Sequence, residues 1–99
     1  MILQIIAGSS GAGKTTIAES LLREIGIDEF VNVDQIARGI SMMHPEKAAF
    51  AAGKIAFVRI NQLLKEKHSF AVETTLSSKN ILRLIQKARK EGYSVNLNF

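Results

Sequence analysis

The sequence GSSGAGKTT, at residues 8–16, follows the apolar segment MILQIIA at residues 1–7. Gly8, Gly13, Lys14 and Thr15 satisfy the pattern G-x-x-x-x-G-K-[ST], between a predicted strand and a predicted helix. Glycines allow the close backbone approach by which successive N–H groups turn toward a phosphate, and a helix that starts near Gly13 adds the positive end of its dipole. The sequence therefore predicts a loop that holds a nucleoside triphosphate, rather than a flexible glycine turn with an exposed lysine.

The polar side chains of this loop have expected roles. Lys14 should reach the β- and γ-phosphates and act in catalysis, and the Thr15 hydroxyl should ligate Mg²⁺. The loop alone does not define the reaction, because motor proteins, GTPases, transport ATPases and small-molecule kinases all use it. The predicted nucleotide contacts are Gly8, Ser9, Ser10, Gly11, Ala12, Gly13, Lys14, Thr15 and Thr16.

Strand-like and helix-like segments alternate along the chain. Strands are predicted at residues 2–6, 30–34, 69–74 and 93–99, and helices at 14–25, at 45–67 and from Ser77 or Ser78 to Gly92. This βαβαβαβ order predicts one α/β domain over residues 1–99, a parallel sheet of about four strands with helices on both faces, the three-layer architecture of P-loop NTPases and kinases. Ligands bind at the carboxyl ends of such strands, so one cleft should hold Ala7 and Gly8, Asp34, and Glu73 and Thr74.

Asp34 is the predicted end of the second strand. A carboxylate there can accept the proton of an acceptor hydroxyl while positioning that group for in-line attack on a phosphate. Contact with a water ligand of Mg²⁺, or capping of a helical segment at residues 35–39, would also suit an aspartate. The position favours catalysis, and capping is compatible with it.

Glu73 ends an otherwise apolar strand, where a carboxylate is costly unless it has a partner. Substrate hydroxyl groups or the water shell of a metal would supply one, and a salt bridge to an arginine or lysine is the alternative. Thr74 and Thr75 add hydroxyl groups at the same place. Arg38 lies one helical turn beyond Asp34, where it could face the phosphates of an acceptor, although a surface or salt-bridge role is the commoner one.

The composition is that of one ordinary soluble domain. The chain has 99 residues, 46% of them hydrophobic, and no cysteine, which excludes a disulfide scaffold and a thiolate zinc site. The apolar start is too short for a signal peptide or a membrane span, and we expect a cytoplasmic location. The net charge is +4, and the excess of basic residues lies in the second half of the chain. Helical spacing favours a solvated helix face over a nucleic-acid surface for Lys79, Arg83, Lys87, Arg89 and Lys90.

Four segments, in their order and spacing, carry a resemblance to a known family. GSSGAGKTT, FVNVDQIARGIS, FAVETTLSS and a helix ending KEGYSVNLNF resemble the zeta-toxin-like P-loop kinases, particularly their small bacterial branch of predicted ATPases. The P-loop is shared widely, but its combination with N-x-D-x-I-A and E-T-T-L is specific. The resemblance covers almost the whole chain.

Zeta toxins phosphorylate UDP-N-acetylglucosamine on a sugar hydroxyl. The resemblance therefore implies an ATP-dependent phosphotransferase that uses Mg²⁺ and a small-molecule acceptor such as a UDP-N-acetyl sugar. By motif position, Asp34 is similar to the catalytic base of the family, and Glu73 and Thr75 are similar to residues that hold the sugar. A toxin–antitoxin context, with an antitoxin as partner, is a further implication.

Members of this family continue beyond the fourth strand with an arginine-bearing lid and a fifth strand, whereas this sequence ends at Phe99. We therefore expect a C-terminally incomplete domain. An arginine that neutralises transition-state charge contributes on the order of 10³ to 10⁵ in rate. Two function classes stay open: a kinase, and a nucleotide-binding module with little turnover that acts as a regulatory or dimer partner. A less covered fourth strand would favour self-association.

Overall fold

A computed structural model describes residues 1–7, 14–74 and 78–98, with side chains for 1–7, 19–74 and 79–98. Its strands are β1 (Ile2–Ala7), β2 (Phe30–Asn32), β3 (Phe70–Thr74) and β4 (Ser94–Asn98). Its helices are α1 (Lys14–Ile25), α2 (Val33–Ile40), α3 (Ala49–Lys65) and α4 (Ser78–Lys90), and a 3₁₀ turn at Pro45–Ala48 precedes α3. Strands alternate with helical segments as the sequence predicts, except that α2 and α3 both lie between β2 and β3, where the sequence predicts one helix.

The described strands form one parallel sheet in the order β2-β3-β1-β4. β1 lies between β3 and β4, so that Leu3 has Phe70 as its neighbour on one side and Val95 on the other. This arrangement confirms the predicted α/β class with a four-stranded parallel sheet. It also brings the carboxyl ends of β2, β3 and β1 together at one edge.

Helices cover both faces of the sheet. Leu22 of α1 packs with Ala71 on one face, whereas Ile60 of α3 and Ile81 of α4 belong to the larger core that contains Val72. Because successive side chains of a strand point to opposite faces, Glu73 lies on the same face as Ala71. The carboxylate of Glu73 is therefore on the α1 side of the sheet.

After three of the described helices, a residue with a left-handed backbone conformation ends the helix. Gly26 follows α1 and Gly92 follows α4, with φ angles of 76° and 93°, at the stops predicted from the sequence. Lys67 takes the equivalent position after α3 with φ of 62°, and the N–H of His68 then donates to the carbonyl oxygen of Leu63 at 3.1 Å. This hydrogen-bond pattern satisfies carbonyl groups that the end of a helix leaves unpaired.

Two predicted element boundaries are wrong. The strand predicted at residues 30–34 ends at Asn32, because the Asn32 side chain accepts a hydrogen bond from the Gln35 N–H and starts α2 at the next residue. The helix predicted at residues 45–67 begins as the 3₁₀ turn at Pro45, which lets Ala48 pack against Ala37 of α2 before α3 starts. The predicted cap at Ser77 lies outside the described residues.

Candidate functional site

Asn32 connects two elements at the carboxyl edge of the sheet. Its Oδ1 accepts from the Gln35 N–H at 3.1 Å, and its Nδ2 donates to Glu73 Oε2 at 2.6 Å. Asn32 and Glu73 are direct partners in the β2–β3 register, so their side chains leave the sheet on the same face. One amide therefore fixes the start of α2 and the orientation of the Glu73 carboxylate.

Glu73 is almost completely buried. It is only 4% exposed, and its hydrogen bond to Asn32 links it to the N-cap residue of α2. A buried carboxyl group is costly without a hydrogen-bond partner, and the Asn32 amide supplies one. From the sequence, the predicted partner of Glu73 is a substrate hydroxyl, the water shell of a metal or a basic residue, whereas among the residues that the structure describes it is the amide of Asn32.

A local signal could have identified Asn32. Asparagine is among the preferred N-cap residues, and glutamine three positions later resembles a capping box. The segment NVDQ at residues 32–35 has this pattern. The alternating FVNVD segment instead suggested a longer strand.

Asp34 is the second residue of α2 and is partly exposed. It therefore does not end a strand, and the capping role considered for it belongs to Asn32. A carboxylate in the first helical turn is favoured by the helix dipole. Asp34 thus lies in the first turn of the helix whose N-cap residue, Asn32, is hydrogen-bonded to Glu73.

Arg38 lies in the last turn of α2 and is exposed. Although Arg38 is one helical turn from Asp34, no ion pair joins the two among the described side chains. The exposed position is compatible with a surface role for this arginine, and contact with the phosphates of an acceptor stays a prediction.

In sequence, the predicted nucleotide loop connects β1 to α1. β1 ends at Ala7, the register partner of Thr74, and α1 begins at Lys14. Lys14, Thr15 and Thr16 thus occupy the first turn of α1, but their side chains are outside the described set. Also outside the described residues are the predicted site positions Gly8, Ser9, Ser10, Gly11, Ala12, Gly13 and Thr75.

Among the side chains that the structure describes, no group of three or more histidine, cysteine, aspartate or glutamate residues could hold a metal ion. In the same part of the chain, no helix combines the length and apolar character needed to cross a membrane.

The sheet order and the glycine-rich sequence between β1 and α1 define a P-loop kinase-like α/β fold. The family model of the zeta toxins matches residues 2–99, and the chain belongs to this family. A protein of Haemophilus influenzae whose function is uncharacterised is 28% identical over 92 residues, which make up 93% of this chain and 64% of that protein.

Two solved structures have similar folds. One is a candidate kinase from Chloroflexus aurantiacus, with a TM-score of 0.75 and 13% identity over 97% of this chain and 57% of its own. The other comes from the PezAT chromosomal toxin–antitoxin system of Streptococcus pneumoniae, with a TM-score of 0.75 and 24% identity over 96% of this chain and 44% of its own. The chain spans less than two thirds of each of these relatives.

Proposed function

We propose that this chain carries the nucleotide- and acceptor-binding part of an ATP-dependent phosphotransferase. The reaction transfers the γ-phosphate to a hydroxyl group of a small molecule. The observation that carries the proposal is the hydrogen bond from Asn32, the N-cap residue of α2, to Glu73 of β3, which joins Glu73 to the helix whose first turn contains Asp34, at the carboxyl edge of the sheet. Membership of the zeta toxin family supports it, and makes a UDP-N-acetyl sugar the first acceptor to test.

The proposed roles follow from the chemistry of each side chain. The glycine-rich loop and Lys14 would hold the triphosphate, and Thr15 would ligate Mg²⁺, whose charge would offset that of the phosphates. Asp34 takes the proton of the acceptor hydroxyl while the hydroxyl oxygen forms a bond to the γ-phosphorus. The bond from that phosphorus to the β-phosphate oxygen breaks, and ADP leaves. Glu73, held by Asn32, orients the acceptor by accepting hydrogen bonds from its hydroxyl groups.

The test is transfer of radiolabel from ATP to a panel of sugar nucleotides, with ATP affinity measured on the same preparation by calorimetry. Asp34→Asn should lower kcat by about 10²- to 10⁴-fold while ATP affinity stays nearly unchanged, because an amide cannot take the proton. Asp28→Asn, at an exposed position before β2, is the matched control and should have no effect. Full transfer by Asp34→Asn would refute the assignment of the base.

The same assay tests Glu73. Glutamine at position 73 keeps an oxygen that can accept from Asn32, so Glu73→Gln removes the charge with little disturbance of the site. The expected result is a raised acceptor KM, with ATP affinity unaffected. Glu24→Gln, at an exposed position in α1, is the control. Unchanged acceptor kinetics would leave Glu73 as a structural residue.

The assay also separates the two function classes. ATP binding that Lys14→Ala abolishes, without label transfer to any acceptor, would identify a nucleotide-binding module instead of a kinase. An antitoxin partner and a cytoplasmic location belong to the same proposal. The antitoxin is supported by the toxin–antitoxin system from which one structural relative comes.

A further inference from the structure

A groove between α3 and α4 lies on the sheet face opposite Glu73. Its floor is Val72 of β3, and its walls include Ala56 and Ile60 of α3 and Leu84 of α4 around a cavity of about 340 Å³. An adjoining open depression of about 500 Å³ continues along α3 toward its first turn. Gly53 and Phe57 line both, so the two form one continuous surface.

This surface exposes two large aromatic side chains. Phe50 is 77% exposed and Phe57 is 64% exposed. The two are seven residues apart in α3, which places them on the same helix face two turns apart. Contiguous apolar surface of this kind marks interaction sites on soluble proteins.

Gly53 lies between the two phenylalanines, in the interior of α3. Its backbone has no positive φ, and a Cβ built on it would meet no atom within 4 Å. Neither backbone conformation nor packing among the described residues therefore requires a glycine there, although glycine is much less favourable than alanine inside a helix. A glycine on the groove does allow the backbone of a bound molecule to approach closely.

Basic side chains flank the apolar surface. Lys54 Nζ lies 4.6 Å from the centre of the Phe50 ring, and Lys87 Nζ lies 5.7 Å from that of Phe57. Arg83 joins Lys87 on the α4 side, and no acidic residue is among the described residues that line either hollow. Two copies of this surface would bring like charges together, which disfavours a second copy as the occupant.

We propose that the groove between α3 and α4 binds an amphipathic helix of a partner protein, with an apolar face on the groove and acidic residues along its flanks. The surface from Phe50 to Asn61 extends about 16 Å along α3, or about three helical turns. A small molecule would fill one of the two hollows, whereas a helix of that length covers both. Apolar anchors at helical spacing in a groove are a common mode of peptide recognition.

The probe is a synthetic capped peptide of about 14 residues, long enough for about four helical turns. Leucines at positions i, i+3, i+4 and i+7 form its apolar face, and glutamates occupy both flanks. A second peptide with lysine at every glutamate position is the control. Titration into the isotope-labelled chain should shift the amide NMR signals of residues 50–61 and 80–87, with the lysine peptide binding at least about tenfold more weakly.

Charge reversal tests the surface from the protein side. Arg83→Glu combined with Lys87→Glu should weaken binding of the glutamate peptide by about tenfold or more. Lys65→Glu combined with Arg89→Glu makes the same change in net charge on exposed parts of the same two helices, away from the groove, and should leave affinity nearly unchanged. Glu24→Gln, at an exposed position of α1 outside the groove, should also leave peptide binding unchanged.

Several outcomes would overturn the proposal. Equal affinity for the two peptides would show nonspecific apolar contact, and shifts outside α3 and α4 would place the peptide elsewhere. A concentration-dependent dimer that protects Phe57 would assign the groove to a second copy. Saturable binding of dodecanoate in the groove, without binding of the glutamate peptide, would assign it to a small amphiphile.

Discussion

Asn32 determines the geometry of the candidate site because both ends of its amide are used. The oxygen holds the first turn of α2 and the nitrogen holds Glu73, so neither carboxylate-bearing segment can move without straining the other contact. No other side chain of similar size carries both a hydrogen-bond donor and a hydrogen-bond acceptor on one planar group. Substitutions at Asn32 should therefore affect stability and site geometry together.

Exchange of the two polar groups tests this arrangement. Asn32→Asp keeps the helix cap but replaces the donor to Glu73 with a second carboxylate, and should lower the free energy of unfolding by about 2 kcal/mol or more. Addition of Glu73→Gln restores a donor and should recover most of the loss. Urea unfolding of the two single variants and the double variant measures the coupling. Simple addition of the two single effects would contradict the contact.

Because of Tyr93, the free energy of unfolding should depend on pH in the alkaline range. Its hydroxyl donates toward the carbonyl oxygens of Leu63 at 3.1 Å and His68 at 2.6 Å. Burial raises the pKa of Tyr93 above its usual value, with a smaller contribution from the charge of Glu91. The neutral phenol is thus favoured in the folded state, and the stability it provides is complete below about pH 10 and is lost as pH rises through the raised pKa.

The variant Tyr93→Phe should be less stable than the wild type by about 1 kcal/mol at neutral pH, because the hydrogen bonds are lost. The difference should shrink as pH rises above about 10. Chemical unfolding at a series of pH values measures it, and the absorbance of tyrosinate follows the single tyrosine of the chain. A difference that is constant with pH would show that the hydroxyl contributes no such linkage.

At the scale of elements, the sequence patterns predict which strands and helices are present better than they predict the residues at which these begin and end. Apolar periodicity and the glycines after α1 and α4 are local, and the elements that they predict are present. The end of β2 depends on Asn32, whose second bond reaches Glu73, 41 positions away. The groove depends on the distance between α3 and α4, which β3 separates in the sequence. No local sequence pattern determines that distance.

Replacement of glycine by alanine should have opposite effects on stability at Gly53 and at Gly92. Gly53→Ala should raise the free energy of unfolding by about 0.5 to 1 kcal/mol, because α3 gains helix propensity and the added methyl meets open space. Gly92→Ala should lower it by about 1 kcal/mol, because φ of 93° is unfavourable for alanine. Thermal and urea unfolding measure both. Destabilisation by Gly53→Ala would show crowding on that face of α3.

At the scale of the whole molecule, β4 forms one edge of the described sheet. Its five residues, SVNLN, carry no charge, and most of them are exposed. The opposite edge is β2, which has only three residues and therefore offers few backbone groups to a new strand. The predicted self-association, which remains a proposal, is thus more favourable at β4.

Charge placed on this edge should prevent strand pairing between copies. Leu97→Lys should shift a concentration-dependent dimer toward monomer in sedimentation velocity, because lysine on an edge strand disfavours pairing. Leu82→Lys, at an exposed leucine of α4, is the matched control and should leave association unchanged. A wild-type chain that stays monomeric at all accessible concentrations, or an equal effect of Leu82→Lys, would exclude the β4 edge.

The position of β1 has a consequence during protein synthesis. β1 is made before both of its neighbours, since Leu3 pairs with Phe70 and Val95. At a translation rate of roughly 5 to 20 residues per second, β3 is synthesised several seconds after β1, and β4 is synthesised later still. During that time, Leu3 and Ile5, which are fully buried in the finished fold, lack the partners that cover them. We therefore expect the nascent chain to expose an apolar segment to chaperones for a short time, and slower translation of the codons before residue 70 to extend that exposure.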